Sequence, residues 1–135
     1  MEKVFIDTSG WVALFVENDK YHKKAAAIFE EIKNSKALIY TSDYVVDETV
    51  TTILARGSHK QSVLAGEALF TSKIIKIVHV CPEYLQAAWE LYQKYKDKMF
   101  SFRDVTSFVI MKDLNIRKAL AFDREFIQAG IELME

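Results

Sequence analysis

Lys3-Val4-Phe5-Ile6-Asp7-Thr8-Ser9 joins a short apolar run to a carboxylate and two hydroxyls. Val4, Phe5 and Ile6 show no alternating polar face, the pattern of a strand covered on both sides in a parallel sheet. Asp7 falls where that strand ends. Ligands of open parallel sheets bind outside the carboxyl ends of the strands, where chain order reverses, so this carboxylate is well placed for chemistry. A local reading stands beside it. Asp7, Thr8 or Ser9 can cap the helix announced by Trp11-Val12-Ala13-Leu14-Phe15, accepting protons from its first amides.

The chain has 135 residues, 50% of them hydrophobic and 27% charged, which suits a single domain over residues 1–135 with a sizeable core. No apolar run is long enough to span a bilayer, and the first residues enter a strand without the regions of a signal peptide, so a cytoplasmic location is expected. The one cysteine, Cys81, can form no internal disulfide and has no zinc-finger partners at the usual spacings. A formal net charge of -1 lacks the basic footprint of extended duplex binding, so a nucleic-acid partner needs a local patch.

Hydrophobic spacing orders the rest of the chain. A short helix runs from Trp11 to Glu17, and an amphipathic one from Tyr21 to about Lys33 sets Ala25, Ile28, Phe29 and Ile32 on one face. Ala37 to Tyr40 is a second strand, followed by a capping cluster at Thr41-Ser42-Asp43. Tyr44 to Arg56 is rich in β-branched residues that favour a strand. Its periodicity nonetheless gives a helix, with Val46, Val50, Ile53 and Leu54 on one face and Gly57 as a stop. Glu48 lies off that face. A helix from Lys60 to Phe70 leads to a strand over Ile74 to Val80, where His79 suits a hydrogen-bonded structural role. Pro82 opens an aromatic helix with Tyr84, Trp89, Tyr92 and Tyr95, whose rings suit core packing or a partner surface. Ser101 and Asp104 have the spacing of a capping box at the next helix. Lys118 to Phe122 is a strand ending in Asp123, Arg124 to Ile127 a short helix, and Ile131 to Leu133 an edge strand.

This β-α-α-β-α-α-β-α-α-β-α-β alternation predicts a parallel sheet with helices on both faces. The strand carboxyl ends then share one edge, where Asp7, Asp104 and Asp123 can converge and Glu48 can join them. Clustered carboxylates cannot all stay ionised without a counter-charge, and a divalent, oxygen-preferring cation supplies it. Arg103 and Arg124 adjoin these acids and are candidates for phosphate contacts, with Lys20 and Lys112 more distant ones. A phosphatase with two aspartates on strand one, or a phosphate-cradling loop, has no counterpart here.

Asp7-Thr8-Ser9 after an apolar strand, Glu48 in the helix after strand two, the Ser101-Phe102-Arg103-Asp104 helix start and Phe122-Asp123-Arg124-Glu125-Phe126 after the late strand together resemble the PIN domain. Length and motif order are most similar to VapC-type toxins of toxin–antitoxin pairs, over essentially the entire chain. The resemblance implies a three-layer α/β/α sandwich around a mainly parallel sheet and a magnesium- or manganese-dependent endoribonuclease. It implies that Asp7, Glu48, Asp104 and Asp123 hold the metal directly or through water, with Thr8 or Ser9 supporting. Asp47 competes with Glu48 for the helix position, and Glu125 is an auxiliary acid. The implied partners are an RNA substrate, a second copy of the chain, and an antitoxin lying along the catalytic groove. Trp11, Phe15, Tyr44 and Trp89 are candidate wall residues for such a partner, or core residues. The alternative from another class is a PIN-like module that binds metal or RNA without cleaving it.

Overall fold

A computed structural model describes the chain from Met1 to Glu135. Its five strands, β1 (Lys3–Ile6), β2 (Leu38–Ser42), β3 (Ile75–Val78), β4 (Lys118–Leu120) and β5 (Glu132–Leu133), form one sheet in which every pairing is parallel. Between them run α1 (Thr8–Phe15), α2 (His22–Asn34), α3 (Asp43–Arg56), α4 (His59–Thr71), α5 (Pro82–Lys94), α6 (Phe102–Asp113) and α7 (Arg124–Gln128). The element order is the one the sequence predicts. Strand order across the sheet is β3-β2-β1-β4-β5, so β1 is central, with Phe5 in register with Tyr40 on one side and Ala119 on the other.

That order fixes the layers. The chain steps outward from β1 through β2 to β3, then returns across the sheet to β4 and continues outward to β5. Right-handed crossovers in opposite directions place their helices on opposite faces. Accordingly α1 packs on α2 and α3, and α3 on α4, whereas α5 packs on α6 and α6 on α7. Val4, Phe5 and Ile6 are fully buried between the two layers, which is why these three positions carry no polar side chain.

Several boundaries differ from the sequence reading for physical reasons. Helix α1 begins at Thr8, three residues before the apolar run; Thr8 Oγ1 is held by Glu48 and Ser9 Oγ by the Phe122 amide, which offsets the weak helix propensity of this stretch. Strand β2 extends through Thr41 and Ser42, whose polar groups are satisfied internally. Thr41 Oγ1 donates to Ile6 O at 2.9 Å and accepts from Trp11 Nε1 at 3.0 Å. Ser42 caps α3 by accepting from Val45 N at 3.1 Å. Trp11 is thus a core residue and not part of a partner surface. The aromatic helix α5 differs in the opposite sense. It packs Tyr84, Leu85, Ala88, Leu91 and Tyr95 on the core, while Trp89 is 51% exposed, stacks on Tyr92 with centroids 5.9 Å apart and meets Phe102 edge to face.

An edge-to-face chain of rings, Tyr95–Phe100–Phe108–Phe126, links α5, α6 and α7 with centroid separations of 4.8, 5.1 and 5.2 Å. Phe100 immediately precedes the cap of α6, so this packing anchors the end of the helix that carries Asp104. His79 has the structural role expected of it, its Nδ1 lying 2.7 Å from the Asp43 carboxylate. No helix is long and apolar enough to cross a membrane.

Candidate active site

Strand order reverses between β1 and β4, and the acids gather at the carboxyl ends of these two parallel strands. Asp7 follows β1 by one residue, and its amide donates to Leu120 O at 3.1 Å, extending the β1–β4 pairing by one bond. It occupies the N-cap position of α1, yet its carboxylate accepts no capping hydrogen bond. The capping reading of Asp7 therefore fails, and a buried carboxylate is left facing other acids. Burial raises its pKa well above the usual carboxylate range, the charges of Asp104 and Asp123 raise it further, and Glu48 adds to them; only the Thr8 amide opposes.

Asp123 comes from the other side of the switch point. It lies three residues past β4, at the N-cap position of α7, and again makes no side-chain cap. Ser9 is what brings its loop to β1: the Phe122 amide donates to Ser9 Oγ at 2.8 Å. The serine read as a support for the first acid is thus a tie between the two acid-bearing loops. Burial raises the Asp123 pKa, as do Glu125, Asp104 and Glu48, while a hydrogen bond with the Asp7 carboxyl lowers it.

Asp104 has both roles that its sequence suggests. Ser101 Oγ accepts from the Asp104 amide at 3.0 Å, and the Asp104 carboxylate accepts from the Ser101 amide at 3.2 Å, closing the capping box. The box fixes the side chain without removing it from the cluster. Burial raises its pKa, the Ser101 bonds lower it, and Glu125 and Glu48 raise it again. Glu125 is therefore an electrostatic member of the site, whereas Asp47 is exposed and perturbs none of these acids.

Glu48 reaches the cluster from α3, and both of its oxygens are engaged. Thr8 Oγ1 donates to Oε1, and Arg103, one residue before Asp104, pairs with Oε2. Arg103 is thus a counter-charge inside the site. No three acidic, histidine or cysteine side chains are gathered tightly enough here to enclose one ion.

Beside the acids opens a cleft of about 420 Å³ lined by Thr8, Ser9, Glu48 and Asp123 together with Lys20, Tyr21 and Arg56. Arg56 and Tyr21 escaped the sequence reading. For Arg56 a signal existed: Glu48, Thr52 and Arg56 are spaced by four along α3 and share the cleft-facing stripe. Of the other basic candidates, Arg124 is exposed and free of ion pairs. Lys112 does not serve the cleft. It lies ~12 Å along α6 from Asp104 and lines a different cavity, of about 980 Å³, between α5, α6 and the C-terminal strand.

The PIN domain model matches residues 4–132. The chain belongs to the PIN-domain family. Among curated relatives, this PIN domain is 33% identical over 127 residues to the 23S rRNA-specific endonuclease VapC20 of Mycobacterium tuberculosis, covering 94% of each chain. The crystal structure of VapC20, described as a sarcin–ricin loop cleaving toxin, superposes with a TM-score of 0.85 over 95% of both chains. VapBC2 from Rickettsia felis, bound to a DNA fragment from its promoter, has the same fold, with a TM-score of 0.74 at 12% identity over 98% of this chain and 97% of that one. The α/β/α PIN architecture expected from the motifs is therefore the observed one.

Proposed function

We propose that this PIN domain is a magnesium- or manganese-dependent endoribonuclease that cleaves ribosomal RNA in the cytoplasm as the toxin of a VapBC-type pair. The observation that carries the reading is the uncapped, buried Asp7 carboxylate facing Asp104, Asp123 and Glu48 at the β1–β4 switch point. Such a cluster is costly to a fold unless a cation balances it. The donor set is all hard oxygen, which fits magnesium or manganese and not zinc. Asp7, Glu48, Asp104 and Asp123 are the residues that would hold the ion, directly or through water. When bound, the cation neutralises charge at the scissile phosphate and makes an attacking water more acidic.

The chain's own groups supply the rest. Ser9 and the β1–β4 pairing hold Asp7 and Asp123 together, and the capping box fixes Asp104. Water adds to phosphorus as the bond to the leaving ribose oxygen breaks; Asp104, less deeply buried than Asp7, takes the water proton, and the departing oxygen keeps the bonding pair and collects a proton from solvent. Arg103 and the exposed Arg124 flank this position and contact phosphate oxygens. Similarity to VapC20 supports ribosomal RNA as the substrate class, and the VapBC2 complex supports an antitoxin partner. Exposed Leu64, Phe70 and Ile74, together with Trp89, offer apolar anchors for that antitoxin or for a second copy of the chain.

The test is cleavage of a sarcin–ricin stem-loop RNA by the purified protein with magnesium, manganese or EDTA, alongside Asp104→Asn. Cleavage should require metal and fall by ~10²–10⁴ in the variant, the span of general acid–base effects. RNA binding without cleavage at any metal concentration would favour the non-catalytic module instead. Arg103 gives a second prediction. Because it competes for Glu48, Arg103→Gln should tighten manganese binding several-fold in calorimetry while weakening RNA binding. Weaker manganese binding would mean that Arg103 positions Glu48 for the ion.

A further inference from the structure

Tyr21 and Phe122, 101 positions apart in sequence, lie parallel at the mouth of the acidic cleft. Their ring centroids are 4.4 Å apart with an interplanar angle of 0°. Phe122 is the residue before Asp123, and its amide is tied to Ser9, so the lower ring is fixed to the acid cluster itself. The upper ring is fixed too, although it sits in a connecting loop. The Asp19 carboxylate accepts from the Tyr21 amide at 2.9 Å and pairs with Arg56 at 3.0 Å, while His22 Nδ1 lies 2.8 Å from Ala13 O. Tyr21 nevertheless stays 36% exposed, and Lys20 Nζ lies 4.9 Å from its ring centroid. Tyr21, Phe122 and Lys20 line the same cleft as Glu48 and Asp123.

A rigid, exposed, planar ring is unusual in a loop, where tyrosine ordinarily has rotamer freedom to lose on binding. Beside four carboxylates it solves a particular problem. An RNA strand approaching these acids is repelled through its phosphates, so affinity has to come from contacts that do not depend on charge. A nucleobase offers a π-face of any sequence, and unpaired bases in RNA loops are commonly splayed onto aromatic side chains. The cleft volume of about 420 Å³ falls in the range of small-ligand sites. Lys20 is exposed and forms no salt bridge, so it can exchange the ring face for a phosphate oxygen as the base arrives.

Resting on the endoribonuclease reading, we infer that the Tyr21–Phe122 stack, with Lys20, is a nucleobase subsite that seats one unpaired base of the RNA next to the scissile phosphate. The base stacks on Tyr21, Lys20 takes a phosphate of the same nucleotide, and the pinned loop makes the platform preformed. No bond is made or broken at this subsite. Its role is to position the strand and choose where it is cut.

The test uses the Asp104→Asn protein, whose cleavage is expected to be ~10²–10⁴-fold slower, and a sarcin–ricin stem-loop RNA carrying 2-aminopurine at single loop positions. At one position fluorescence should be quenched on binding. Tyr21→Leu should abolish that quench and weaken binding by about tenfold, in line with the ~1–3 kcal/mol of a base–aromatic stack and 1.4 kcal/mol per decade. Tyr21→Phe should retain both, and an abasic nucleotide at that position should make Asp104→Asn and its Tyr21→Leu derivative bind alike. Unchanged affinity and quench in Tyr21→Leu, with an unchanged melting temperature, would overturn the subsite alone. No binding by the Asp104→Asn parent, together with no cleavage by the wild-type chain, would overturn the nuclease reading and the subsite with it.

Discussion

Asp7→Asn is expected to abolish cleavage and metal binding while making the protein more stable in EDTA. The two effects have one cause. Asp7 is buried, caps nothing, and faces Asp104, Asp123 and Glu48, so its ionised form is opposed by burial first and then by those charges. Losing a direct ligand should cost at least ~100-fold in metal affinity, beyond the ~10–100-fold typical of an outer-shell partner. The amide introduced at position 7 keeps the volume and removes the charge that burial and the neighbouring acids oppose. Relief of this buried carboxylate should be worth about 1 kcal/mol or more, a few degrees in Tm.

The pH dependence carries a definite sign. In the unfolded chain Asp7 loses its proton near the ordinary value of ~3.9, whereas in the folded chain it holds the proton to higher pH. Over the window between these values the unfolded state binds fewer protons, so wild-type stability in EDTA falls as pH rises. The Asn variant lacks that slope, and its advantage should widen from pH 4 upward. Added magnesium should reverse the ranking, since a ligand at 100 times its Kd stabilises the folded state by ~2.7 kcal/mol and only the wild type would bind it. Thermal melts of both proteins across pH, with EDTA and with magnesium, decide the matter. A variant less stable than wild type in EDTA at neutral pH would mean that Asp7 is a structural cap after all.

Much of this site was legible in the sequence because its members sit next to strong local signals. Val4-Phe5-Ile6 marks a buried strand, so Asp7 is located by the run it terminates. Ser101 and Asp104 declare themselves by capping-box spacing, and the box is present. The helix carrying Glu48 was recoverable despite its β-branched residues, since periodicity outweighs propensity where one face must be buried. The relations between segments were not legible. Nothing local says that Arg103 reaches Glu48, 55 positions away, or that Ser9 holds the Phe122 amide, 113 positions away. Those contacts follow from β4 inserting beside β1, and strand order has no short-range signature. Trp11 and Trp89 make the same point in opposite directions. Each lies in a helix with apolar neighbours, but the sheet covers the first and leaves the second half-exposed. The Tyr21–Phe122 stack combines both difficulties, since it joins distant loops through residues that no periodicity governs.

Gly10→Ala should be the most destabilising of the small substitutions, although it replaces a helical glycine with the best helix former. In an exposed helix that change gains ~1 kcal/mol. At position 10 a Cβ would lie 2.4 Å from Leu120 O and 3.0 Å from Ile6 Cγ2, so backbone must move. The oxygen in the way is the one that accepts the Asp7 amide, and it belongs to the last residue of β4. Relieving the clash therefore pushes β4 from β1, lengthens the bond that seats Asp7, and carries the Phe122–Asp123 loop off Ser9. Overpacking against side chains costs ~1–3 kcal/mol, and a backbone obstacle puts this substitution at the upper end, a net loss on the order of 3 kcal/mol and ~10 °C in Tm. Below its melting temperature the variant should still bind manganese more weakly, because Asp7 and Asp123 no longer share one edge. Gly66→Ala is the matched control. That glycine is also buried in a helix, but its added Cβ would meet only Val50 Cγ2, at an ordinary 3.6 Å, so propensity decides and stability should hold or rise by up to ~1 kcal/mol. Equal melting temperatures for the two variants would show that α1 does not lie as close to β4 as the site requires. A large loss at Gly10 alone would establish that this close approach, which only a glycine permits, is what brings the two halves of the acid cluster together.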